Sequence, residues 1–173
     1  LSTAYKSLYS VLTPEQRARY DELVAGDSRA RRTAEQERKA TVQAAGEKVQ
    51  AVSLTIGTPQ CVLLDDPLLG SRLHKLGPAI EHHPKFPDRT NVSFARVEGP
   101  NRLRILIWER GVGPTQASGT GACGAAVAAA AYGGASRDVE VISPGGCQRV
   151  EWLDSGVYLT GWAKLVFEGT WLD

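Results

Sequence analysis

The sequence predicts an α+β fold in which short, mostly hairpin-linked strands wrap on one central apolar helix, behind an N-terminal helical extension. Three observations predict it. The run G-T-G-A-C-G-A-A-V-A-A-A-A-Y from Gly119 to Tyr132 has no polar face, and a helix that is apolar all round is normally buried. On either side of it, short apolar or alternating runs are punctuated by Gly, Pro, Asn and Asp, as strands and their turns are. The chain before Val49 instead shows helical spacing and mixed charge.

The 173 residues fit one domain with an appendage. A net charge of +1 gives no special affinity for nucleic acid or membrane surfaces. No apolar run reaches the length of a membrane span, because the longest small-residue stretch is bounded by Gly124 and Gly133. Cys61, Cys123 and Cys147 are odd in number and lack metal-type spacing, so they read as free thiols in a reducing compartment. The sequence starts at Leu1 and has no Met. That suits a processed chain or a fragment, with an organelle as one destination after removal of a targeting segment.

Residues 1–26 read as a helical hairpin. Leu1, Ala4, Tyr5, Leu8, Val11 and Leu12 recur at helical spacing, and Thr13-Pro14-Glu15-Gln16 supplies an N-cap, a first-turn proline and a capping-box Gln. Residues 27–48 carry both charge signs and few apolar residues besides Ala, which predicts a solvated helix or linker. The β-rich body is expected over 49–173. Its strands are Val49–Ile56, Cys61–Leu64 after the turn Thr58-Pro59-Gln60, Thr90–Val97, Arg102–Trp108, Val139–Ile142, Gln148–Leu153, Val157–Thr160 and Ala163–Phe167. A short helix over 68–80 is expected to break at Gly77-Pro78. His82 and His83 follow in a loop; adjacent histidines point apart and no Asp/Cys/His set accompanies them, so no metal is expected.

Ser118-Gly119-Thr120-Gly121 opens the central helix. Free N–H groups and the positive end of the helix dipole make it either an anion site or a plain N-cap.

The body's motifs occur in a fixed order: G-T-P-Q-C-V, G-P-A-I-E-H-H-P-K-F-P-D-R-T-N-V-S-F, W-E-R-G-V-G-P-T-Q-A-S-G-T-G-A-C, S-P-G-G and L-T-G-W-A-K-L-V-F-E-G. Together, over about residues 50–170, they resemble the C-terminal half of the diaminopimelate epimerase family. The resemblance implies two pseudosymmetric domains, each a mixed sheet rolled around a central helix, of which this chain holds one. It also implies cofactor-free inversion of an amino-acid α-carbon by two cysteines, one from each half, poised at helix N-termini where the dipole lowers a thiol pKa. A shorter string, A-Y-K-S-L-Y-S-V-L-T-P-E-Q-R-A-R-Y-D, resembles the last two helices of a J domain; the His-Pro-Asp of that module is not in it.

The epimerase resemblance comes with departures. Ser118 stands at the position of the catalytic cysteine of this half, and a hydroxyl is a far weaker acid than a thiol. The other catalytic cysteine belongs to a Gly-Asn-Gly context that this sequence does not contain. Thr58-Pro59-Gln60 replaces Asn-Pro-His, so Gln60 stands at the family's histidine, and Pro114 replaces a Glu. Asn91, Glu109, Arg110, Gly119 and Thr120 match substrate-binding positions, and Cys123 a frequent non-catalytic cysteine. Each also has a structural reading: Glu109 and Arg110 as a buried ion pair, Gln60 as a partner for backbone groups, Cys123 as a core residue or a modestly activated first-turn thiol.

No cofactor or metal is expected. The leading expectation is a non-catalytic, epimerase-derived domain acting as a scaffold or accessory subunit, with other protein subunits as partners. The alternatives are a fragment or Cys-to-Ser form of diaminopimelate epimerase, the isomerase of lysine biosynthesis, and a domain sensing a small carboxylate ligand.

Overall fold

The computed structural model describes residues 38–64, 68 and 70–170. The helical hairpin and J-domain-like string expected over 1–26, and the charged stretch before residue 38, lie outside the described residues.

The described chain forms strands β1 (Arg38–Ala44), β2 (Glu47–Ile56), β3 (Thr58–Leu64), β4 (Asn91–Gly99), β5 (Arg102–Glu109), β6 (Gly113–Thr115), β7 (Asp138–Ser143), β8 (Gly146–Leu153) and β9 (Gly156–Thr160), with helices α1 (Gly70–Glu81) and α2 (Gly119–Tyr132). All nine strands belong to one sheet, ordered β1-β2-β3-β4-β5-β7-β8-β9, with β6 added against β5. The pairs β3·β4 and β5·β7 are parallel and the rest antiparallel. A helix makes each parallel crossover, as parallel neighbours require. The fold is therefore α+β with a mixed sheet.

The sheet curls around α2, which packs against β2, β3, β4, β5, β7, β8 and β9. Residues 121–129 of α2 are all buried. They pack on Val52, Leu54, Val62, Leu103, Ile105, Ile107, Val139, Val141 and Val150. Only Ala, Gly, Cys and one Val line this part of the helix, which lets the strands close on it from several sides. The opposite face carries a second core, where Val42, Val49, Cys61, Leu63, Val92 and Phe94 meet Leu73, Leu76 and Ile80 of α1. Alternation along β3 sends Val62 to one core and Cys61 and Leu63 to the other, as strand period two dictates.

Four expectations are corrected. Residues 38–48 are not a helix or linker: β1 and the start of β2 form a hairpin through Ala45-Gly46, both at positive φ (47° and 81°), as a two-residue primed turn needs. The β2–β3 turn is Gly57 alone, at φ 67°, and Thr58-Pro59-Gln60 already belongs to β3. Pro59 lies ahead of the first β3·β4 pair, Gln60↔Asn91, where a missing N–H breaks no bond to β4. The helix over 70–81 runs through Gly77-Pro78 without ending; burial of Leu73, Leu76 and Ile80 holds it together across the proline. Finally, Ala163–Phe167 forms no strand. Residues 161–170 are exposed and without regular structure, since no described strand pairs with them.

Candidate functional site

The start of α2 is built as the local sequence dictates. Ser118 is extended (φ −151°, ψ 125°), and its Oγ accepts the Gly121 N–H at 3.2 Å. Its carbonyl accepts the N–H of Ala122 at 2.9 Å. This is an N-cap, which satisfies part of the first turn's unpaired donors. Glycine leaves the cap uncrowded: a Cβ on Gly121 would lie 3.2 Å from Ser118 Oγ, so the cap would have to shift by a few tenths of an ångström, and one on Gly119 would meet the movable end of the Leu159 side chain at 3.0 Å. The preceding loop is anchored by Gly145, whose N–H donates to the Gln116 carbonyl at 2.7 Å. Beside it lies a cleft of about 190 Å³, lined by Ala117, Ser143, Cys147, Gln148 and Trp162 among others.

Beneath α2, parallel register sets Gln60 of β3 beside Asn91 of β4. Gln60 is 1% exposed and its Nε2 donates to Thr58 Oγ1 at 2.9 Å, while Asn91 Nδ2 donates to the same oxygen at 3.2 Å. Thr58 therefore joins the two amides. Gln60 bonds a side chain rather than backbone groups, and its Oε1 is buried with no partner among the described residues. Gly124 of α2 makes room for it, since a Cβ there would sit 3.0 Å from Gln60 Cγ.

Asn91 also reaches the turn that ends β5. Its Oδ1 accepts the Arg110 N–H at 2.8 Å, and Arg110 Nη1 donates to the Asp88 carbonyl at 2.8 Å. Arg110 and Gly111 line a hollow of about 250 Å³ with Asp88 and Arg89. Glu109 and Arg110 are partly buried but form no ion pair with each other, and the Glu109 carboxylate has no side-chain partner among the described residues. Hydrogen bonds thus join Gln60, Asn91 and Arg110 into one network through Thr58; among the described residues none links it to Ser118, Gly119 or Thr120 at the helix start.

Glu81 is the charged residue that sequence reasoning passed over. It is 3% exposed at the end of α1. Its Oε2 accepts Trp108 Nε1–H at 2.7 Å, and its Oε1 accepts Gly111 N–H at 2.9 Å and Arg89 Nη1 at 3.4 Å. Burial pushes its carboxyl up, but those hydrogen bonds and nearby His82 outweigh it and hold the group below the ordinary carboxylate range. The one signal in sequence is its spacing from Leu73, Leu76, Gly77 and Ile80, which puts position 81 on the buried side of α1.

His82 and His83 serve locally: His82 Nδ1 lies 3.1 Å from the Pro78 carbonyl, and His83 Nδ1 accepts the Lys85 N–H at 3.2 Å. Cys123 is a core residue, not an activated thiol; burial pushes it up to about 11. The three cysteines are unpaired.

Residues 52–166 match the family model described as diaminopimelate epimerase. The chain belongs to the diaminopimelate epimerase family. It is similar to diaminopimelate epimerase of Stutzerimonas stutzeri (strain A1501), with 46% identity over 126 residues covering 72% of this chain and 46% of that protein. It is similar to diaminopimelate epimerase of Desulforudis audaxviator (strain MP104C), with 44% identity over 131 residues, 74% of this chain and 47% of that one. With diaminopimelate epimerase of Pseudomonas savastanoi pv. phaseolicola it shares 43% identity over 138 residues, 79% of this chain and 50% of the relative. The chain thus spans about half the length of the curated epimerases it matches.

Within this epimerase-family half, the role of Ser118 as a cap is measurable. Ser118→Ala should lower unfolding free energy by about 1 kcal/mol, and Ser118→Gly by only a few tenths. Urea titration of the two variants checks the order; a neutral Ser118→Ala would mean that the cap does not matter.

Proposed function

We propose that this chain is a non-catalytic member of the diaminopimelate epimerase family, working as a scaffold or accessory subunit of a larger assembly. The observation that carries the reading is Ser118. Among the described residues its hydroxyl bonds the Gly121 N–H and no base, so nothing is poised to draw off its proton. Gln60, at the position the family resemblance gives to histidine, is a neutral amide sealed in the core and does not titrate, so it cannot serve as a general acid or base as an imidazole would. The three thiols are poor substitutes: burial raises Cys61 and Cys123, and partial burial with nearby Glu140 raises Cys147.

A role in an assembly is supported by the surface. Leu153, Tyr158, Leu159, Trp162, Leu165, Val166 and Phe167 are exposed along one end of the chain, with Phe167 82% exposed. Apolar side chains open to water in this number offer area that a partner could cover.

The test is solvent deuterium uptake at the α-carbon of diaminopimelate, followed by mass spectrometry with the purified protein. Uptake should stay at the level of the protein-free control, and Ser118→Ala should not change it. Uptake above control that vanishes in Ser118→Ala would overturn the proposal and favour a Cys-to-Ser epimerase instead.

A further inference from the structure

We infer that Glu81 is a positioning residue: its buried carboxylate clamps the turn after β5 and so fixes where Arg110 stands. That this turn faces a ligand rests on the family reading above; that Glu81 shapes it does not.

The turn between β5 and β6 has few ties of its own besides Arg110 Nη1, which donates to the Asp88 carbonyl. Glu109 pairs with Gly113 across the ladder, and Val112 N–H donates to the Glu109 carbonyl at 3.0 Å. Between them Gly111 and Val112 are exposed, Val112 at 71%, so no apolar contact seats the tip. Two side chains reach it from elsewhere in the fold. Asn91 takes the Arg110 N–H, and Glu81 takes the Gly111 N–H. Adjacent amides are thus held by groups on β4 and α1.

The other oxygen of Glu81 holds the Trp108 indole, and Trp108 lies flat against α1 at Gly77. A Cβ on Gly77 would fall 2.6 Å from the ring. One carboxylate therefore ties together helix, strand end and turn. Its burial makes the tie strict, because a buried acceptor is costly to leave unpaired and both oxygens must stay engaged. The groups facing it are Arg89 and His82, with His74 edge-on to Trp108 at 6.0 Å and Glu109 and Arg110 in the turn itself.

The experiment is amide hydrogen exchange and ¹H–¹⁵N spectroscopy on the chain, with Glu81→Gln as the variant of equal shape. Gln keeps one acceptor and sets an NH₂ against a donor. The Gly111 N–H should exchange at least tenfold faster in Glu81→Gln, and the Trp108 indole resonance should move, while amides of residues 125–128 in α2 keep their protection. Unchanged Gly111 exchange, or equal acceleration across the whole chain, would overturn the assignment. If Glu81→Gln does not fold, the unaltered chain decides by acid titration. The Gly111 and Trp108 N–H resonances should then move together with one midpoint below the ordinary carboxylate range, far from the histidine range. Resonances that stay still, or move with different midpoints, overturn the clamp. None of these readouts requires a ligand or turnover, so a failure here is separate from a failure of the non-catalytic reading.

Discussion

Phe94→Ala should lower the unfolding free energy by about 3–5 kcal/mol, the range for removing a buried aromatic side chain. Phe94 is wholly buried in β4, a strand flanked by β3 on one side and β5 on the other. Its ring belongs to the core between sheet and α1, with Leu63, Leu76 and Ile80. The cost depends on how far the surroundings can collapse into the void, and here they are held back. α1 is pinned at one end by Arg72 and Lys75 on Glu47, at 2.5 and 2.6 Å, and farther along by Gly77 against Trp108. Exposed ion pairs hold only weakly, so it is chiefly Gly77 against Trp108 that limits how far α1 settles onto the sheet, and the loss should fall within that range. Urea unfolding measures it: the midpoint should fall with the slope unchanged. A loss below about 1 kcal/mol would mean that the α1 core contributes little to stability, contrary to ordinary large-to-small costs. Because α1 carries Glu81, the same variant should also loosen the turn at Gly111.

How much of this could be read from sequence depended on whether a local signal existed. α2 was legible because its evidence is all local: an uninterrupted apolar run, Ser118 to cap it and Gly133 to end it. The hairpins at Pro100-Asn101, Pro144-Gly145 and Asp154-Ser155 were legible for the same reason. β1 was not, because its buried face uses Ala44 and Val42 where larger apolar residues would have shown the alternation, and charge on its other face mimicked a solvated helix. Ala163–Phe167 failed in the opposite way. Its alternation is that of a strand, but a strand needs a neighbour, and none of the described residues supplies one. The site was least legible. That Gln60 lies beside Asn91 follows from a parallel register across a helical crossover, which nothing in either motif encodes. The Glu109–Arg110 ion pair looked natural from adjacency, yet neighbours at a strand end point to different sides; Arg110 turns to Asp88 and Asn91 instead. Glu81 lies inside the G-P-A-I-E-H-H-P motif, but nothing local marks it, because its partners Trp108 and Gly111 are 27 and 30 residues away.

Raising the pH from 9 to 11 should cost this fold up to about 5 kcal/mol through Cys61 and Cys123 alone, at about 1.4 kcal/mol per unit per thiol. Burial pushes Cys61 up to about 12 and Cys123 up to about 11, from an ordinary value of 9.0. Well below pH 9 both thiols are protonated whether the chain is folded or not, and stability does not depend on them. Above it the unfolded chain gives up these protons and the folded chain keeps them, so stability falls as pH rises until the folded thiols ionise too. Urea midpoints across this interval, compared with Cys61→Ala/Cys123→Ala, isolate the effect from lysines and tyrosines. The double variant should start less stable because of its cavities but lose stability less steeply. Parallel slopes would sink the account. The same burial makes both residues slow to alkylate in the native state, leaving exposed Cys147 to react first. The argument bears on function as well. A thiol gains acidity at a helix start only where the N-terminal dipole acts without full desolvation. Cys123 is in the helix but inside the core, and burial wins. The partly buried cap position is where a thiol would feel that field, and there the chain has Ser118.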